Sequence, residues 1–204
     1  MSISADKIQL NWEKHLKIVD TYLTTRKDQV KTMLDSLSEV YIMAPASGKT
    51  WYHSAFPGGY VDHVNRVVQY AVKQARLYGE MGGTVDFTEE ELVFSALFHD
   101  LGKIGDGEKP NYIPQTDKWR QDKLSEMYTF NSDLDFMLIP DRSLFILQKF
   151  GIKVNSADFL ASKVEYDIWK REGGSSTPKV QKRVSTTGKA IKSSEGLSNI
   201  LKGL

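Results

Sequence analysis

Apolar positions recur along residues 6–42 at three- and four-residue spacing, as they do on a helix with one buried face. Ile8, Trp12, Leu16, Val19 and Leu23 form a first stripe; Val30, Met33, Leu34, Leu37, Val40 and Tyr41 form a second. Thr24-Thr25 between them predicts a break into two helices. Ala44-Pro45-Ala46-Ser47-Gly48 has loop chemistry, and the loop is expected to run on through Phe56-Pro57-Gly58-Gly59. A third helix is predicted from Tyr60 to about Tyr78, with Val64, Val67, Val68, Ala71, Val72 and Ala75 on its apolar side. Thr88 with Glu91 is a capping-box pair, so a further helix starts there and runs through Leu92, Val93, Ala96, Leu97 and Phe98 to Leu101. Residues 105–117 read as a long loop, followed by a short helix near Trp119–Met127. Asp141 is placed to cap a helix over Arg142–Phe150 that stops at Gly151. Ser156 is placed to cap a last one, from Ala157 to about Arg171. Strand-like alternation is scarce throughout. The pattern predicts an all-α fold.

Composition narrows this picture. A chain of 204 residues with 40% hydrophobic residues can bury one sizeable core. No apolar run approaches the roughly 18 residues that span a bilayer, so no membrane-spanning helix is expected. The first residues lack a basic segment followed by an apolar one, which argues against a secretory signal. There is no cysteine, which excludes disulfides, thiolate zinc sites, iron–sulfur clusters and cysteine nucleophiles. A cytoplasmic location is the expectation. From Gly173 onward Ser, Thr, Gly and Lys dominate, with six basic residues against one acid. Residues 1–172 carry 21 basic against 25 acidic residues, a net charge of −4. The stretch 173–204 is therefore read as a flexible basic tail with weak helical spacing only at its end. The acidic body offers no broad basic face for nucleic acid. The expected organisation is N-terminal helices over 1–43 packing on a helical domain over 44–172, then the tail.

The chemistry concentrates in few residues. The histidines are His15, His53, His63 and His99, and Asp100 follows His99 directly. A His-Asp pair at a helix end can present a ring nitrogen and a carboxylate oxygen to one divalent ion. Such a mixed shell suits Mn, Fe, Ni, Co, Zn or Mg. His63, near the start of its helix, reaches the end of the His99 helix if the two pack antiparallel. Asp158, set between Ala157 and Phe159, is an unusual position for a solvated charge, and a metal would explain it. His15, in a charged helix, is read as an exposed or packing histidine. Tyr52, Tyr60, Trp119 and Tyr128 are read as core or lid.

The order His63, His99-Asp100, Asp158 resembles the H…HD…D signature of the HD-domain metal-dependent phosphohydrolase superfamily. Pro57-Gly58-Gly59-Tyr60-Val61-Asp62-His63 resembles its first-histidine helix, Leu97-Phe98-His99-Asp100-Leu101-Gly102-Lys103 its HD box, and Ala157-Asp158-Phe159-Leu160 its terminal aspartate motif. The wording around Ala44–Ser47, His53 and His63 further resembles the HD proteins of tailed bacteriophages and the HD part of bacterial 3′–5′ exoribonucleases. A phage-encoded chain would work in the host cytoplasm. The sequence departs from many relatives in the short 152–156 junction and in having no histidine after His99; Asp141-Arg142-Ser143 stands where some enzymes place one.

The resemblance implies an HD-type helical bundle and one divalent metal held by His63, His99, Asp100 and Asp158. A metal so placed lowers the pKa of water and neutralises phosphoryl charge. Asp100 and Lys103 would be catalytic. Lys103, Arg66 (one turn after His63) and His53 would contact the substrate phosphate. The expected reaction is hydrolysis of a phosphoester, with a nucleotide or related small molecule as substrate. Single-stranded nucleic acid cleaved from its 3′ end is the alternative, and a degenerate domain that only binds is a third. The sequence leaves the oligomeric state open.

Overall fold

In a computed structural model, residues 3–154 are described. They form helices α1 (Ala5–Tyr22), α2 (Lys27–Met43), α3 (Gly59–Glu80) and α4 (Glu89–Phe98), then a 3-10 turn (Leu101–Ile104). Strand β1 (Tyr112–Pro114), helix α5 (Lys118–Leu124), strand β2 (Tyr128–Phe130) and helix α6 (Ile139–Lys149) follow. The architecture is helical with one small hairpin, as the pattern predicts. The helix expected at 157–171, with Asp158, and the tail at 173–204 lie outside the described residues.

Local chemistry sets the helix starts. The Ser4 hydroxyl caps α1 by accepting from the Lys7 amide at 3.3 Å. The capping box at α4 is complete: Thr88 Oγ1 accepts from the Glu91 amide at 3.2 Å, and Glu91 Oε2 accepts from the Thr88 amide at 2.8 Å. The chain enters α3 through two glycines. Gly58 has φ +79°, and a Cβ there would stand 2.9 Å from Ile8 Cγ1. A Cβ at Gly59 would stand 2.0 Å from the Ser54 carbonyl oxygen. Side chains are excluded at both positions, so the loop carrying His53 folds directly onto the helix carrying His63.

The core is one cluster. Trp12, Val19, Leu23, Val30, Met33, Leu34 and Tyr41 from α1 and α2 pack with Tyr60, Val64 and Val68 from α3, and with Leu92–Phe98 from α4. α4 is apolar all round because α3 covers one side and α1 part of another. Glu90 ties the start of α4 to the α1–α2 turn by accepting from the hydroxyls of Thr24 and Thr25. Burial would raise its pKa, but these bonds outweigh it and hold the carboxyl at about 2.

Several expectations need correction. Residues 105–117 are not all loop, since Tyr112–Pro114 pairs antiparallel with Tyr128–Phe130. Asp141 does not cap α6. That helix starts at Ile139 with Pro140 in its first turn, Asp141 points outward, and Arg142 and Ser143 point inward. Of the two readings of His15, exposed or packing, the structure shows the packing one, fully buried. Tyr52 and Trp119 are exposed, Tyr128 is half-buried, and only Tyr60 of those four is core.

Candidate metal centre

Helix α3 packs against α4 so that the first turn of one meets the last turn of the other. His63 Nε2 lies 3.3 Å from His99 Nε2. Asp100 Oδ2 lies 3.5 Å from His63 Nε2 and 3.3 Å from His99 Nε2. All three residues are half-buried. Among the described residues they form the group of ligand atoms spaced to hold a metal ion.

The donor set fits a divalent cation. Metal–ligand bonds of about 2.1 Å place neighbouring donors about 3.0 Å apart in an octahedron and about 3.4 Å apart in a tetrahedron. The 3.3–3.5 Å separations lie close to the tetrahedral value. His99 Nδ1 lies 2.9 Å from the Ala96 carbonyl oxygen, so Nδ1 carries the proton and donates it there. Its Nε2 therefore directs a lone pair at the cluster, as a histidine ligand requires. The same bond satisfies one of the carbonyls left open at the end of α4.

Asp100 is the electrostatic centre. Burial would push its carboxyl upward, but His99, His63 and Lys103 together hold it well below the usual carboxylate range. It is ionised at neutral pH. The Lys103 ammonium sits 2.6 Å from the same Oδ2 atom. His63 is lowered from its ordinary value, first by burial and then by His99 and Lys103, against the pull of Asp100. Its neutral form, the one that ligates metal, is thereby favoured.

Of the other site candidates, His53 lies beside the cluster, its ring 4.2 Å from the His63 ring. Burial, His63 and Lys103 lower its pKa. Arg66 turns to its own helix. It donates to Asp62 Oδ2 through Nε at 3.2 Å and to Ser54 Oγ through Nη2 at 2.7 Å. Half its side chain remains exposed next to the His53 loop. Asp158 is outside the described residues.

Arg142 escaped the sequence reading. It is buried, and its Nη1 donates to the Gly102 carbonyl at 3.2 Å and to Asn111 Oδ1 at 2.7 Å. Its Nη2 donates to the Asp135 carbonyl at 3.0 Å. Ser143 Oγ accepts from the Gly102 amide at 2.8 Å. Together they fix the turn that follows Asp100 and carries Lys103. An arginine beside an exposed aspartate gives no sequence signal of this inward role.

A second support lies under α3. His15 Nδ1 is 3.0 Å from Asn65 Oδ1, and His15 Nε2 is 3.0 Å from the Tyr41 hydroxyl. Asn11 donates from Nδ2 to Asp62 Oδ1 at 3.3 Å. Asp62 and Asn65 flank His63, so α1 grips the ligand-bearing turn from both sides.

No curated protein and no solved structure matches the chain. Residues 60–149, from the second residue of α3 to the last of α6, match the family model described as HD domain, which supports the HD-domain superfamily for the stretch that carries this cluster.

Proposed function

We propose that the protein is a divalent-metal-dependent phosphohydrolase acting on a nucleotide or a related small phosphoester. The observation that carries this reading is the convergence of His63 Nε2, His99 Nε2 and Asp100 Oδ2 at metal-ligand spacing within the stretch matched by the HD domain. Asp158 is assigned as the further ligand, on the motif resemblance.

A divalent ion in this site supplies Lewis acidity to water and phosphoryl oxygen. The chain supplies the rest. Asp100 stays ionised, accepts a proton from the attacking water and orients it. Lys103 moves its ammonium from Asp100 onto a phosphate oxygen and offsets the charge that develops there. His53, whose ring lies 4.2 Å from that of His63, and Arg66, half exposed next to the His53 loop, are assigned to binding the substrate.

The net acidity of residues 1–172 favours a small substrate over a polymer. One observation favours the exonuclease alternative: Trp51 and Tyr52 are exposed immediately before His53, where unstacked bases would find aromatic faces. Deleting residues 173–204 separates the two readings. The deletion leaves hydrolysis of a nucleotide intact and weakens hydrolysis of an oligonucleotide, more so at low salt, if the polymer is the substrate.

The test is phosphate and nucleoside release from a panel of nucleotides and oligonucleotides with added Mn2+ or Mg2+. Turnover of nucleotides that chelation abolishes is the expected result. Metal binding with no turnover of any phosphoester would overturn the enzymatic reading and leave a binding domain.

A further inference from the structure

Tyr112 opens β1, and hydrogen bonds fix its place from two directions. Its neighbour Asn111 accepts from Arg142, the same guanidinium that holds the Gly102 carbonyl two residues past Asp100. On the other side, the Gly48 carbonyl accepts from the amides of Met127 at 2.8 Å and Tyr128 at 3.0 Å, at the start of β2. The next loop residue back, Ser47, donates from its hydroxyl to the His53 carbonyl at 2.8 Å. The hairpin thus bridges the turn that carries Asp100 and Lys103 and the loop that holds His53 on His63.

The Tyr112 ring is fixed within this bridge. It pairs in register with Phe130, and the two rings stack with centroids 5.3 Å apart and an 25° angle between planes. The ring edge also lies against the Gly48 position. The hydroxyl is different. It belongs to a half-buried residue, lies within electrostatic reach of Asp100, and has no hydrogen-bond partner among the described residues. Burial, and after it the Asp100 charge, raise its pKa to about 12, so it keeps its proton as a donor at any working pH. A tyrosine hydroxyl on a ring fixed between the Asp100 turn and the His53 loop, close enough to feel the Asp100 charge, complements an anionic oxygen.

We propose that Tyr112 is a substrate-contacting residue whose hydroxyl donates a hydrogen bond to a phosphoryl oxygen of the phosphoester held at His63, His99, Asp100 and Lys103. The inference rests on the phosphohydrolase reading above and adds a contact from the hairpin, an element outside the metal motifs. Phe130 acts through Tyr112, by holding its ring.

Tyr112→Phe tests it, because the variant keeps the ring and its stack and removes only the hydroxyl. The probes are inorganic phosphate, titrated calorimetrically into the full-length Mn2+-loaded protein, and a nucleoside monophosphate for steady-state kinetics. Metal content and the urea midpoint are measured alongside. The expected result is a loss on the order of 10-fold or more in phosphate affinity and in kcat/KM, with metal content unchanged. Equal phosphate affinity in the two proteins would overturn the role of Tyr112 while the hydrolase reading stands. A wild-type protein that takes up no metal and binds no phosphate would overturn both.

Discussion

Acidification strains the buried polar network that holds α3. Asn65 donates from Nδ2 to the Asn11 carbonyl at 2.7 Å, so its Oδ1 is the acceptor that faces His15. His15 Nδ1 therefore carries the ring proton, and Nε2 accepts from the Tyr41 hydroxyl. A second proton would remove that acceptor and bury a cation that no carboxylate contacts among the described residues. Burial accordingly lowers the His15 pKa from 6.5 to about 4, with the Asn65 bond pulling weakly the other way. Between those values the unfolded chain binds a proton that the folded chain refuses. The stability this residue contributes is fully present above pH 6.5 and is lost as the pH falls towards 4. A gap of about 2.5 pH units amounts to about 3 kcal/mol, a large part of a typical total of about 5–15 kcal/mol. The assay is urea unfolding at half-unit steps from pH 7 to pH 4, for the wild type and for His15→Gln. The variant is less stable at pH 7 but does not titrate there. Other groups titrate equally in both proteins, so the difference between the curves isolates His15. Wild-type stability should fall more steeply by about 1.4 kcal/mol per pH unit within the window. Parallel curves would refute the reasoning.

Three further substitutions probe the turn after Asp100. Arg142→Met removes the donor from the Gly102 and Asp135 carbonyls and from Asn111 Oδ1, and should cost about 3 kcal/mol in urea unfolding; an unchanged midpoint would contradict its role in fixing that turn. Gly102→Ala places a Cβ 2.4 Å from the Ile139 carbonyl oxygen and 3.0 Å from Arg142 Cβ. It should cost roughly 1–3 kcal/mol and weaken metal binding measured by titration. Lys103→Gln should keep the metal and lower kcat/KM by on the order of 100-fold, since a cation is lost where phosphoryl charge develops; kinetics equal to wild type would remove Lys103 from the site.

The residues that meet at the centre were legible because helix ends are legible. Pro57-Gly58-Gly59 marks the start of α3, and the apolar stripe of α4 leads up to His99-Asp100, so an antiparallel pair would bring them to His63; the helix was expected to run on to Leu101 but ends at Phe98. The hairpin was not legible. Its strands are three residues each, too short for a period of two to register, and β2 is held by the Gly48 carbonyl some 80 residues earlier. The start of α6 was misplaced because Asp141 reads as a cap, while the helix starts three residues sooner, at Ile139, with Pro140 in its first turn. His15, between Lys14 and Leu16, reads equally as an exposed or a packing histidine. Its partners Asn65 and Tyr41, 50 and 26 residues away, make its burial tolerable. Burial of polar groups is decided by such distant partners, and spacing along the chain does not show them.

The central claim is that His63, His99 and Asp100 hold a divalent metal. Its most direct test is the metal content of the purified protein and of Asp100→Ala after both are exposed to Mn2+ and desalted. The account predicts bound metal in the wild type and its loss in the variant, with the variant still folded by far-UV circular dichroism. Equal metal in both proteins, or none in either, would contradict it.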